Sequence, residues 1–251
     1  MSEIFTRNEL IWGKEFQNSL AQKHIVVFGL GGVGGFAAEA LARSGVGELS
    51  IIDFDKVNLS NINRQLVALH STAGENKAQL FAQRIKDINP EIIINIYDTF
   101  YTDELNEEIF TKNVDFVIDA IDTLKSKIQL LEFCHLNKIK VITSMGAGNR
   151  IDPTQLRIKD ISEIGKSKCT FVKNIIRILD KKDIKSGITA VISEEPPSSI
   201  SSIKNQELIT KKSGETIELT KISPGSVPFV PSVAGYYMAF YVINSFLSVK
   251  K

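Results

Sequence analysis

Cysteine is almost absent, with two residues, Cys134 and Cys169, in a chain of 251. Two thiols cannot build a disulfide framework or a four-cysteine zinc site. Histidine is equally sparse, and His24, His70 and His135 share no metal-ligand spacing, which leaves them structural roles. Neither sign of charge dominates, the net being +1, so the chain as a whole is not a general polyanion binder. The first twenty residues carry Glu3, Arg7, Glu9, Lys14 and Glu15 and no apolar core, a pattern unlike a secretory signal and expected of a cytoplasmic protein. Internal repeats and long low-complexity tracts are missing. One long apolar stretch, Val227 to Val249, is broken by Pro228, Pro231, Asn244, Ser245 and Ser248. The prolines limit its helix to about Ser232 to Val249, which is expected to lie against the sheet or a second copy; membrane association is the less favoured reading.

What the chain does have is a run that ends a strand in glycines, His24-Ile-Val-Val-Phe-Gly29-Leu-Gly31-Gly32-Val-Gly34, followed by a helix of small residues and then Ile51-Ile52-Asp53-Phe54-Asp55. A strand, a glycine turn, a helix and a second strand ending in acid form the βαβ unit that binds nucleotides. Glycines at 29, 31, 32 and 34 admit phosphate oxygens to backbone N–H groups and to the positive end of the helix. Asp53 is placed to accept from ribose hydroxyls, with Asp55 beside it.

A nicotinamide cofactor would need nothing more, but the chain goes on. Asn58-Leu-Ser-Asn61-Ile-Asn63-Arg64-Gln65, then Gly74-Glu-Asn-Lys77, then Asp119-Ala-Ile-Asp122 follow in order. Arg64 and Lys77 supply two cations for a triphosphate and for the charge that develops when a carboxylate attacks an α-phosphate. Asp119 and Asp122 close the apolar strand Val114 to Ile118, where a carboxylate can hold Mg²⁺ beside the phosphates.

This series resembles the ubiquitin-activating enzyme superfamily, in which GxGGxG, an acid after the second strand, N-x-x-R-Q, a downstream lysine and D-x-x-D bind MgATP. The resemblance implies that Gly29, Gly31, Gly32, Gly34, Asp53, Asn61, Arg64, Lys77 and Asp122 form an ATP site, with Asp122 on the metal. The second half is closer still to one branch. Ser144-Met-Gly146-Ala-Gly148-Asn-Arg150-Ile-Asp152-Pro153-Thr154-Gln155 and Pro224-Gly-Ser226-Val-Pro228-Phe-Val-Pro231-Ser-Val-Ala-Gly235 look like the bacterial tRNA threonylcarbamoyladenosine dehydratases. So does the Arg7 to Leu20 helix. Members of that family use ATP to cyclise the threonylcarbamoyl group at position 37 of tRNA. As partners the resemblance implies tRNA and a second copy of the chain, leaves room for sulfur-transfer accessory proteins, and gives no role to DNA.

Two other readings stay open: an adenylating activator of a ubiquitin-like sulfur carrier, and a nucleotide-binding scaffold without chemistry. Many sulfur-carrier activators carry two C-x-x-C pairs that are missing here. Cyclisation within one side chain also needs no thioester. Cys134 therefore reads as a buried small residue and Cys169 as incidental to catalysis.

Between Lys166 and Lys185 seven bases stand against two acids. Phe171, Ile175, Ile178 and Leu179 follow a helical spacing, so Lys173, Arg177 and Lys181, with Lys182 and Lys185 after them, would share the outer face. Alone this is a solvated face as readily as an RNA contact; the resemblance makes it an expected tRNA phosphate contact.

Strands alternate with helices from Asn8 to Ser144, which predicts an α/β fold with a doubly wound, mainly parallel, Rossmann-like sheet whose ligand lies at the carboxyl ends of the strands. The expected elements are helix Asn8 to Gln22, strand His24 to Phe28, helix Gly34 to Ser44, strand Glu48 to Asp53, helix Lys77 to Asn89, strand Ile92 to Tyr97, helix Asp103 to Phe110, strand Val114 to Ile118, helix Ser126 to Asn137 and strand Val141 to Ser144. After Gln155 the alternation fails. Leu156 to Lys159, Thr189 to Ser193 and Ile217 to Leu219 read as strands of a smaller antiparallel extension. The expected division is an ATP-binding adenylation domain over 1–155 and a C-terminal extension with the basic segment and apolar helix over 156–251.

Overall fold

A computed structural model describes residues 3–111, 113–198, 203–210 and 214–247. Strands β1 (His24–Phe28), β2 (Glu48–Ile52), β3 (Ile93–Tyr97), β4 (Phe116–Asp119), β5 (Val141–Met145), β6 (Leu156–Asp160) and β7 (Thr189–Ser193) form one sheet in the order β3-β2-β1-β4-β5-β7-β6. All neighbours are parallel except β6 and β7. The expected α/β fold with a mainly parallel sheet is therefore the observed one.

Both faces of the sheet are covered, which is why its central strands read as continuous apolar runs. Ile25 and Val27 of β1 belong to one core with helices α2 (Lys14–Leu20), α3 (Gly34–Ser44), α4 (Lys77–Ile88) and α8 (Phe229–Leu247). Val26 and Phe28 belong to the other, with α6 (Leu124–Leu136) and α7 (Thr170–Lys181). The short helices α1 (Thr6–Trp12) and α5 (Asn106–Ile109) complete the helical elements.

Four expectations need correction. The first helix is two, α1 and α2, because Gly13 adopts φ 82°, ψ 155° between them. The break lets Gln17 reach two elements: its Oε1 accepts from Trp12 Nε1 at 2.9 Å and its Nε2 donates to Ser44 O at 2.9 Å. The segment Asp103 to Phe110 is a short 3-10 turn and then α5, not one helix.

Of the strands after Gln155, β6 and β7 form an antiparallel pair as expected, but the pair continues the main sheet. β7 pairs in parallel with β5, and β6 is the antiparallel edge beside it. The basic helix α7 is the crossover that returns the chain to the sheet, so the βαβ alternation resumes where the sequence pattern is weakest. Outside the sheet, β8 (Ile203–Thr210) and β9 (Thr216–Ser223) make a two-stranded hairpin. Ile217 to Leu219 are part of β9; β8 was not expected, and residues 199–202 before it lie outside the described residues.

Helix α8 starts at Phe229 rather than at Ser232. Pro231 sits in its first turn, where a missing N–H costs no hydrogen bond. Val230, Ala234, Met238 and Val242 bury one side of α8. Gly235 sets the approach to α3: a Cβ there would lie against Val33 O and 2.9 Å from Phe36 Cβ. Among the described residues no helix is long and apolar enough to cross a membrane.

Candidate nucleotide site

The strand order reverses between β1 and β4, so a crevice opens at their carboxyl ends. Phe28 is level with Ile52 on one side and Asp119 on the other. Gly29, Asp53 and Ala120 thus follow in one layer. Gly29 has φ +82°, and a Cβ on it would stand 2.8 Å from Ala120 O; a Cβ on Gly34 would collide with Gly29 O. These two glycines fold the turn. Gly31 and Gly32 instead leave space beside Gln65 and Arg64: a Cβ on Gly31 would lie 3.7 Å from Gln65 Nε2, and one on Gly32 3.3 Å from Arg64 Cγ and from Pro231 Cβ.

Asp53 anchors that turn. Its Oδ2 accepts from Leu30 N at 2.6 Å and its Oδ1 from Asp55 N at 2.8 Å. Burial pushes the Asp53 carboxyl up to about 6 from 3.8, with Lys77 pulling down and Asp55 pushing up. A group with a raised folded value stabilises the fold fully below about 3.8, and that contribution is lost as pH rises through about 6. Asp53→Asn does not titrate. In thermal unfolding the variant is expected to be more stable than wild type at pH 7.5 and to lose that margin by pH 4.5. A margin that grows on acidification would contradict a buried, raised Asp53.

Lys77 opens α4, whose N-cap Asn76 accepts from Gln79 N. The chain around it is pinned beside the 53–57 loop: Lys77 N donates to Asp55 O at 3.0 Å, and Val57 N to Glu75 O at 2.8 Å. Its buried Nζ donates to Asp55 Oδ2 at 2.8 Å. Arg64 is half-buried and held by its own loop, with Nη1 donating to Ser60 O at 2.9 Å and Asn63 Oδ1 at 3.0 Å. Burial pushes its guanidinium below its usual value while Asp122, across the crevice, pulls it back. Arg64 and Asp122 are thus close enough to interact electrostatically. Asn61 accepts from Asn58 N through its Oδ1 at 3.1 Å, capping the turn that carries Arg64.

The two acids after β4 have different roles. Asp119 is fully buried: Lys127 Nζ donates to its Oδ2 at 2.6 Å, Thr143 Oγ1 at 2.7 Å, and Ile121 N to its Oδ1 at 3.0 Å. It cannot reach a metal and instead shapes the loop that presents exposed Asp122. Among the described residues no three His, Cys, Asp or Glu side chains form a metal cluster. A single carboxylate is enough for Mg²⁺ that takes its other ligands from phosphates and water. The donor set fits such an ion.

Three residues escaped the sequence reading. Gln65 is buried beside Gly31, and its Oε1 has no hydrogen-bond partner; such an orphan beside a glycine cradle is what a ligand amine or hydroxyl would satisfy. Asn63 ties this loop to the far end of the chain by donating to Ser226 O at 2.9 Å. Arg150 is buried next to that junction, where Asn149 N donates to Gly225 O and Gly225 N to Asn149 Oδ1, both at 2.7 Å. Of the two segments that carry the resemblance in the second half, Pro224 to Gly235 meets the Asn63 loop and, through Pro231, the glycine turn, and Ser144 to Gln155 joins it at the Asn149–Gly225 junction. The residues appear in the motifs, but only the fold reveals the contacts.

The basic residues lie elsewhere. Lys173, Arg177 and Lys181 are exposed along the outer side of α7, whose buried side is Val172, Ile175 and Leu179. Lys182 is paired with Glu132 at 2.7 Å and Lys185 with Asp183 at 2.9 Å.

Comparison with known proteins identifies the family. The ThiF family matches residues 5–250. A tRNA threonylcarbamoyladenosine dehydratase of Bacillus subtilis is 43% identical, with 98% of this chain and 96% of that protein covered. One from Haemophilus influenzae is 44% identical over 70% of each. The crystal structure of the Escherichia coli tRNA N6-threonylcarbamoyladenosine dehydratase with ATP superposes with a TM-score of 0.85 at 29% identity, covering 99% of this chain and 95% of that one. The same E. coli enzyme has been solved with AMP. A glycine turn, an arginine near an acid, and a whole-length match of both sequence and fold lead to one conclusion: the chain belongs to the ThiF family, among its tRNA threonylcarbamoyladenosine dehydratases.

Proposed function

We propose that this protein is an ATP-dependent dehydratase that cyclises N6-threonylcarbamoyladenosine at position 37 of tRNA. The observation that carries the reading is the pairing of a glycine cradle with Arg64, Lys77 and Asp122 in a chain that matches such enzymes from end to end. The threonyl carboxylate attacks the α-phosphate of ATP and pyrophosphate leaves. The carbamoyl group of the same side chain then attacks the acyl-adenylate, a five-membered ring closes, and AMP departs with the carboxyl oxygen while the nucleophile loses a proton. One water is thereby removed at the expense of ATP.

The residues divide the task. Gly31 and Gly32 leave room for the phosphates, Asn61 holds the turn bearing Arg64, and Asp53 fixes the glycine turn and faces the ribose together with Asp55. Arg64 and Lys77 offset phosphate charge, and Asp122 would hold Mg²⁺, which when bound neutralises the triphosphate. Nucleophile and electrophile of the second step belong to one side chain, so proximity replaces an enzyme thiol. The outer side of α7, with Lys173, Arg177, Lys181, Lys182 and Lys185, meets tRNA phosphates. A tRNA substrate in turn places the enzyme in the cytoplasm. Exposed Phe229, Tyr236 and Phe240 on α8, with Leu10 and Ile11 on α1, supply apolar area for a homodimer.

Incubation with ATP and tRNA carrying the threonylcarbamoyl group should release AMP and pyrophosphate, and nucleoside mass spectrometry should show the loss of one water. Unmodified tRNA should give neither. Release of ADP and phosphate, or transfer of AMP to a diglycine-tailed carrier protein with no change in the tRNA, would overturn the reading.

A further inference from the structure

The six parallel strands β3, β2, β1, β4, β5 and β7 end along one edge of the sheet, and the nucleotide site takes up only β1, β2 and β4. Next to it, beyond β5 and β7, lies an open cleft of about 390 Å³ between the 164–169 loop, the end of β7 and Arg150. Its volume is within the range of small-molecule sites, about 300–1,000 Å³. Strands stand about 4.8 Å apart, so the cleft is roughly two strands, about 10 Å, from β4.

The charges of the cleft are unevenly engaged. Glu194 is paired with Lys159 at 2.7 Å. Glu195 is occupied by backbone, accepting from Ile151 N at 3.0 Å and Asp152 N at 2.9 Å. Both acids are thus satisfied, whereas Lys166 and Lys168 form no ion pair among the described residues. Arg150 lines the same cleft and is only 3% exposed. Its Nη1 donates to Gly148 O at 2.9 Å, but its Nε has no partner. A buried guanidinium with no anion and an idle N–H is costly unless a ligand completes it. Pro196, Pro197 and Ile164 add an apolar wall against which a planar base can rest.

Resting on the proposed activity, we infer that this cleft receives the nucleotide whose carboxylate is activated, and that Arg150 meets that carboxylate. The guanidinium fork suits a planar carboxylate held by two parallel N–H donors. Hydrogen bonds couple the two sites: Arg150 follows Asn149, which is bonded to Gly225, and Ser226 accepts from Asn63, next to Arg64. A carboxylate seated at Arg150 is directed along the strand edge toward the α-phosphate. Arg150 is in this assignment a binding and specificity residue, and Lys166 and Lys168 screen the adjoining phosphates of the RNA.

Cys169 reports on occupancy, because it lines the cleft while Cys134 is fully buried. The wild-type protein is saturated with α,β-methylene-ATP, which cannot release pyrophosphate, and alkylation of Cys169 by iodoacetamide is timed. An anticodon stem-loop RNA carrying N6-threonylcarbamoyladenosine should slow alkylation at least fivefold relative to the same RNA with plain adenosine. Equal rates with both RNAs would overturn the assignment while leaving the activity intact if the modified RNA is still turned over with ATP. If no modified RNA is turned over, the activity itself falls, and the assignment with it. Arg150→Lys keeps the charge and loses the fork; kcat/KM for the modified RNA should fall about 10- to 100-fold, the worth of a charge-assisted hydrogen bond, with KM for ATP within about twofold. A parallel rise in both KM values would make Arg150 merely structural.

Discussion

Arg64→Ala should lower turnover of modified tRNA by about two orders of magnitude, the usual cost of losing a preorganised charge at a reacting phosphate. The fold should hardly notice. Arg64 is half-buried, its guanidinium is bonded to Ser60 O and Asn63 Oδ1 within its own loop, and neither acceptor is left stranded far from water. Lys77→Ala should cost turnover to a similar degree and stability as well. Its Nζ is buried on Asp55, and it is the cation that draws the Asp53 carboxyl down; without it, two neighbouring acids lose their counter-charge. The pair of variants therefore separates the two roles. Thermal unfolding with single-turnover assays of AMP formation checks them: a stable, inactive Arg64→Ala beside a destabilised, inactive Lys77→Ala is the expected pattern. An Arg64→Ala enzyme that keeps more than about a third of its turnover would remove this arginine from the phosphate site.

The sequence was most informative where local chemistry alone sets geometry. A strand ending in Gly29, a turn that tolerates no Cβ at Gly29 or Gly34, and acids at 53 and 122 can each be read within a few residues, because backbone conformation and strand direction fix them. Partnerships were less legible. Asp119 and Asp122 look alike in the pattern D-x-x-D, yet one is sealed in a buried ion pair and the other interacts with Arg64; the difference depends on Lys127 and Thr143, eight and twenty-four residues away. The same limit hid β7. Its five residues differ little from an antiparallel strand in composition, and only the packing of α7 as a crossover makes it parallel to β5. Gln65 and Arg150 were visible in the motifs but not as orphaned buried groups, since burial is a property of the assembled fold. In each case the missed information is a property of the assembled fold rather than of the local pattern.

Lys127→Met should destabilise the protein by about 3–5 kcal/mol, the cost of leaving a buried charge without its partner. Lys127 and Asp119 have no solvent exposure and meet at 2.6 Å. Burial pushes the Lys127 ammonium below its usual value, and Asp119 pulls it back. Methionine fills the same volume, so packing changes little and the loss is electrostatic: Asp119 keeps only Thr143 Oγ1 and Ile121 N as donors. The double variant Asp119→Asn/Lys127→Met should recover most of the loss. An asparagine carbonyl can still accept from Ile121 N and its amide can donate to Thr143 Oγ1, with no ion left in the core. Function should follow a different order. The Asp119 carboxylate shapes the Ala120-Ile121-Asp122 turn through Ile121 N, so the single variant, with a distorted turn, should lose ATP affinity even at temperatures where it stays folded. The double variant should regain both. Chemical denaturation and ATP titration of the three proteins measure this directly. If the double variant is as unstable as Lys127→Met alone, the pair contributes more than charge neutralisation, and the ion-pair account of the β4 turn fails.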